Sequence, residues 1–124
     1  APCIACNQAC LDHTFTGKLT SCLVNPRACH ETLLAPQPAA RARDLAVVGA
    51  GPAGLAFAVE AAQRGHRITL YDGAAEIGGQ FNLAKRVPGK EEFHETLRYF
   101  RRMIDKLGIT LRLNSWVDAD LLAA

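Results

Sequence analysis

No apolar run in this sequence approaches the roughly 18 residues that would cross a bilayer. The opening residues, Ala1-Pro2-Cys3-Ile4, have neither the basic start nor the apolar core of a signal peptide. Long blocks of like charge are missing too. Fourteen basic residues face 12 acidic ones, for a net charge of +2. That balance argues against a nucleic-acid surface, and the grouped Arg98, Arg101 and Arg102 read as the solvated face of a helix. There is no internal repeat, and no Ser/His/Asp or Cys/His arrangement suited to hydrolysis. His66 falls in a turn, and His94 on an exposed stretch of helix. An initiator Met is absent, and the chain stops at Leu121-Leu122-Ala123-Ala124, just after a third predicted strand. A doubly wound domain has more strands than that, so a piece of a longer polypeptide is expected. The expected setting is a reducing cytoplasm, without membrane or nucleic-acid partners. Cysteines there bind metal or do redox work more often than they form disulfides.

What the sequence does have is a sharp change of texture. Residues 1–33 hold all five cysteines and are expected to be irregular, with turns at Thr16-Gly17-Lys18 and Asn25-Pro26. Residues 34–43 contain two prolines and small residues, and read as a linker. From residue 44 to 124 the pattern becomes that of an α/β domain. Leu45 to Val48 is a short continuous apolar run, as in a buried parallel strand. An Ala-rich helix follows to Gln63, with Gly65 at its C-terminal cap. Arg67 to Asp72 reads as a second strand, and 73–88 as a long loop or a loop with a short helix. Glu91 to Leu107 is the clearest helix, since Phe93, Leu97, Phe100, Ile104 and Leu107 recur at three and four. Ile109 to Leu113 alternates as a third strand.

Cys3, Cys6, Cys10 and Cys22 make C-x2-C-x3-C-x11-C. A local turn can bring three such thiolates together, and a loop returns the fourth. Soft, all-sulfur donors suit an iron–sulfur cluster or zinc. A structural zinc site usually shows two close pairs, and only one C-x2-C is present. Cys29 is expected to be a small buried hydrophobe. His13 and His30 are expected to be hydrogen-bonded structural residues, because four thiolates already complete a site.

Gly49, Gly51 and Gly54 form G-x-G-x-x-G between the first strand and the first long helix. In this motif the first glycine permits the tight turn and the second lets the backbone approach a pyrophosphate. The third allows close packing of helix on strand, and the helix N-terminus attracts the phosphate charge. Asp72, at the end of the second strand, stands at the offset expected of the acid that accepts a ribose hydroxyl. These residues predict a partial doubly wound parallel sheet, a Rossmann-like dinucleotide-binding half. The fingerprint does not separate FAD from NAD(P). The pair Gly78-Gly79 before Gln80 resembles the segment that two-dinucleotide flavoproteins pass close to the flavin nucleotide.

Taken together, the strings CIACNQACLDHTFTGKLTSCLVNPRACHE, LAVVGAGPAGLAFA and EIGGQFNLAKRVPGKEEFHETLRYFRRMI resemble the bacterial NADPH-dependent 2,4-dienoyl-CoA reductases. These group with trimethylamine dehydrogenase among the iron–sulfur flavoproteins. The resemblance implies a 4Fe–4S cluster on Cys3, Cys6, Cys10 and Cys22. It implies FAD on Ala53 in the phosphate turn, Asp72 at the ribose, Gln80 and Lys90 in the following loop, and the Val117 backbone near adenine. It further implies partners within one parent chain: a barrel holding FMN and the acyl-CoA site, and an NADPH domain. In such a parent, electrons pass from NADPH through FAD and the cluster to FMN. This sequence departs from the family by lacking both of those parts, so it is expected to hold no catalytic residue of its own.

Overall fold

The computed structural model describes residues 1–123. Helix α1 (Ala9–Phe15) interrupts the cysteine segment, which the sequence had suggested was irregular throughout. It buries none of its side chains, so it has no apolar stripe from which it could be read. The linker then runs back along the end of α2 (Pro52–Gln63). Ala39 N–H donates to Arg64 O at 2.9 Å, and the Arg64 guanidinium donates to Gln37 O at 3.1 Å.

The sheet has three parallel strands in the order β1 (Asp44–Val48), β2 (Arg67–Tyr71), β3 (Thr110–Arg112). Asp44 pairs with Arg67 and Val48 with Tyr71; Thr69 pairs with Thr110 and Tyr71 with Arg112. The last two strands are shorter than the sequence suggested. Asp72 lies just past β2, where it is free to face a site, and Ile109 and Leu113 flank β3.

Parallel neighbours are joined by right-handed crossovers. Two successive steps in one direction therefore put α2 and α4 (His94–Leu107) on the same face of the sheet, packed against each other. The core forms between them: Val47, Ile68 and Leu70 from the strands, Leu55, Ala58 and Val59 from α2, and Phe100 and Ile104 from α4. The opposite face is bare along β1, where Ala46 and Val48 are exposed. A continuous apolar run suggests burial on both sides, but only one side is covered here. Leu97, Phe100 and Ile104 are buried as the helical period requires, and Gly108 ends α4 in a left-handed conformation. The first turn of that predicted helix, Glu91–Phe93, is instead 3-10. Two short helices complete the chain. Helix α3 (Phe81–Ala84) lies in the long loop, and α5 (Ala119–Ala123) follows β3, where the sequence showed no helical signal.

Candidate functional site

The C-terminal ends of β1, β2 and β3 lie side by side, and the glycine-rich turn leaves from the first of them. Gly49 turns the chain with φ +102. A Cβ on Gly54 would lie 1.9 Å from Gly49 O, so only hydrogen lets α2 start this close to the strand. A Cβ on Gly51 would meet nothing within 4 Å, leaving its backbone open to a ligand. Pro52 occupies the first position of α2, where no N–H is needed, and Ala53 and Gly54 follow in the first turn. N–H groups in that turn lack intrahelical partners and carry the positive end of the helix dipole.

Asp72 is tied into this turn. Its Oδ2 accepts Ala50 N–H at 2.6 Å and its Oδ1 accepts Ala74 N–H at 2.7 Å. The carboxylate thus both closes its own turn and braces the glycine-rich turn from β2. A carboxylate has about four lone-pair sites, so ribose hydroxyls can still be accepted.

The double glycine docks on the same turn. Gly78 N–H donates to Ala50 O at 2.8 Å, and a Cβ on Gly79 would lie 3.2 Å from Gly51 Cα. The pair therefore lets two backbones touch. Gln80, beside it, is exposed and precedes α3. Lys90 reaches back over Phe93, its Nζ 5.3 Å from the ring centroid, and Phe93 stacks on Phe81 at 5.1 Å. The turn at Lys90 is held by Glu91. Backbone hydrogen bonds, from its own N–H and from Gly89 N–H at 3.1 Å, keep that carboxyl below the usual carboxylate range. Val117 is half-buried in the loop after β3.

The four cysteines of the motif are free thiols in a tightly turned segment. Ala5 and Asn7 take left-handed conformations between them, with φ of 49° and 52°, and Ala5 N–H donates to Cys3 Sγ at 3.4 Å. Among the described residues, no three His, Cys, Asp or Glu side chains stand close enough to hold one metal ion. A tetrahedral zinc needs its thiolates within about 2.3 Å of a single point. Four thiolates are also the donor set of a four-iron cluster, so by its chemistry the set fits that group.

Cys29 is exposed, with φ +61, and its N–H donates to Glu31 Oε1 at 3.1 Å. It is not the buried residue the sequence suggested, because a left-handed turn carries it outward. The histidines are hydrogen-bonded as expected. His13 Nδ1 lies 3.1 Å from Leu19 O, and His30 Nδ1 lies 2.9 Å from Ala28 O.

A cavity of about 540 Å³ separates the cysteine segment from the helices. Ile4, Cys6, Pro52, Val59, Phe81, Lys90, Phe93 and Tyr99 are among its lining residues. It brings one motif cysteine, Cys6, and side chains of the nucleotide half, Pro52 and Lys90 among them, around a single space. Thr96 also lines it, and its buried hydroxyl has no partner. Arg27 spans the gap beside it, paired with Glu60 at 2.5 Å and donating to Gln63 at 2.9 Å. The Phe81–Phe93 stack and Arg27 carried no sequence signal, since each acts through residues far away in the chain.

The strand, the Gly49–Gly54 turn and the acid beyond β2 meet the requirements of a dinucleotide fold. This half of the chain is a Rossmann-like domain. Residues 47–107 match the family model described as an NAD(P)-binding Rossmann-like domain. The chain is 41% identical over 114 residues to a metal reductase of Desulforamulus reducens, covering 92% of this chain and 17% of that protein. A bilirubin reductase of Mediterraneibacter gnavus is 32% identical over 98% of this chain and 19% of its own length. Among solved structures, a 2-naphthoyl-CoA reductase bound to 2-naphthoyl-CoA superposes with a TM-score of 0.91. It is 42% identical and covers 97% of this chain, which spans 18% of that one. These relatives are reductases by name, and the chain spans under a fifth of their lengths. The matches to the bilirubin reductase and the 2-naphthoyl-CoA reductase cover 98% and 97% of this chain, so they extend beyond the Rossmann-like domain into the cysteine segment.

Proposed function

We propose that this chain is the electron-relay part of an NADPH-dependent reductase of the 2,4-dienoyl-CoA reductase type. It would hold a 4Fe–4S cluster on Cys3, Cys6, Cys10 and Cys22 and the ADP end of FAD on the glycine-rich turn. The observation that carries this reading is the shared cavity, which Cys6 lines together with Pro52 and Lys90. A cluster supplies one-electron steps and a flavin supplies two-electron ones, so the pair converts between the two. The protein's own work is to bind and place. The first turn of α2 would receive the pyrophosphate and Asp72 the ribose, while Lys90, steadied by Phe93, presents positive charge at the cavity. The coiled turn at Ala5 and Asn7 would direct N–H groups toward the sulfurs, as Ala5 already does.

FAD is favoured over NAD(P) by the docking of Gly78-Gly79 on the turn, although the matching family model is named for NAD(P). FMN, NADPH and an unsaturated acyl-CoA substrate would belong to other parts of a longer chain in the cytoplasm. The 2-naphthoyl-CoA reductase, whose complex holds a CoA thioester, supports that substrate class.

Anaerobic reconstitution with iron and sulfide, followed by calorimetry with FAD and NADPH, tests the proposal. The chain should take up about four irons and bind FAD in preference to NADPH. Cys6→Ser should lose the iron and keep the nucleotide. Asp72→Ala should keep the iron and weaken nucleotide binding by about 1–3 kcal/mol. Full iron retention in Cys6→Ser, or a strong preference for NADPH, overturns it.

A further inference from the structure

Trp116 is the one tryptophan of the chain and is 89% exposed. One side of the ring nevertheless has a partner. A Cβ built on Gly73 would lie 3.3–3.5 Å from Cε2, Cζ2 and Cδ2, so the indole rests against a backbone that has no side chain in the way. The loop that carries it is fixed at both contacts with the β2 exit. Asn114 N–H donates to Ala74 O at 3.0 Å, and Ser115 N–H donates to Asp72 O at 2.9 Å. Asp72 in turn braces the glycine-rich turn through Ala50 N–H. The loop that carries the indole, the acid and the phosphate turn are therefore one hydrogen-bonded assembly at the C-terminal ends of the strands, where ligands of open α/β sheets bind.

The order of groups in a nucleotide decides what the open side of the ring meets. Phosphate belongs at the α2 N-terminus and ribose at Asp72. The base hangs from the ribose on the side away from phosphate, and the ring resting on Gly73, the residue after Asp72, stands there. We infer that Trp116 stacks on the adenine of the bound nucleotide, with Gly73 backing the indole. An aromatic ring recognises a base by its π-face, so the ligand class is an aromatic base on a ribose diphosphate. This inference rests on the dinucleotide reading above.

Because the chain has a single tryptophan, its fluorescence reports on this residue alone. With the full chain, ADP should quench the emission and ribose 5-phosphate should leave it unchanged. By calorimetry, Trp116→Ala should bind ADP about tenfold more weakly, and Trp116→Phe should recover most of the loss. The ring is exposed, so both variants should melt with the parent. If the parent and Trp116→Ala bind ADP equally, the stacking role is overturned and the dinucleotide reading stands. If neither binds ADP, the dinucleotide reading falls and the stacking role falls with it.

Discussion

Between Val47 and Ile109 the chain buries side chains from two strands, two helices and a loop in one continuous cluster, with Leu55 and Leu70 at its centre. The first 33 residues bury Ile4 alone and leave Leu11, Phe15, Leu19, Leu23 and Leu33 exposed. Cores of that size do not hold so short a segment in place. Its order has to come from elsewhere, and the thiolates provide a means, since metal binding and folding are coupled in such segments. The Rossmann-like half is thus held by apolar contact, and on the proposed reading the cysteine segment is held by the cluster its sulfurs would bind. The two are joined by few bonds, of which Arg27 with Glu60 and Gln63 is one group.

The sharpest way to break this contrast is at the sulfurs. Cys22→Ser should lose most of the iron after reconstitution, and residues 1–33 should lose protection from hydrogen exchange while 44–112 keep theirs. Cys29→Ser should keep both, because that thiol points outward on its own turn. Equal behaviour of the two variants would remove the ligand assignment.

A smaller effect is expected from the other side. Leu70 is fully buried on β2, and Leu70→Ala should cost about 2–5 kcal/mol of stability. Denaturant melts followed by far-UV circular dichroism would measure it. Iron uptake by the folded fraction should persist. If iron binding falls in step with the melt, the two regions form one cooperative unit and the contrast fails.

The smallest change tests the join. Arg27 and Glu60 are 29% and 48% exposed, so their pairing is screened by solvent. Arg27→Ala should shift stability by no more than about 1 kcal/mol. A larger loss would show that the cysteine segment leans on α2 more than its burial suggests.

Legibility in the sequence followed the same division. The glycine turn, Asp72 and the apolar stripe of α4 could be read because each depends on spacing along one element. Gly54 is required by a clash with Gly49, five residues away, and that short range is what a motif records. The bare face of β1 could not be read, because it follows from both crossovers lying on one side of the sheet. Helices α1 and α5 were hidden by their shortness, and neither buries a side chain that would set a period. The cavity joins Cys6 to Lys90 and the indole of Trp116 meets Gly73, and pairings across such distances leave no local trace.

The sequential order of the three strands also bears on how the fold is reached. Each strand pairs with the strand next to it in the chain, and each crossover helix packs beside the one before. No strand has to wait for a later one to be inserted between it and its partner. Loop closures therefore stay short for a parallel sheet, which keeps the entropic barrier low. The sheet can grow strand by strand as the polypeptide leaves the ribosome, with the phosphate turn shaped as soon as β2 pairs with β1 and Asp72 reaches Ala50.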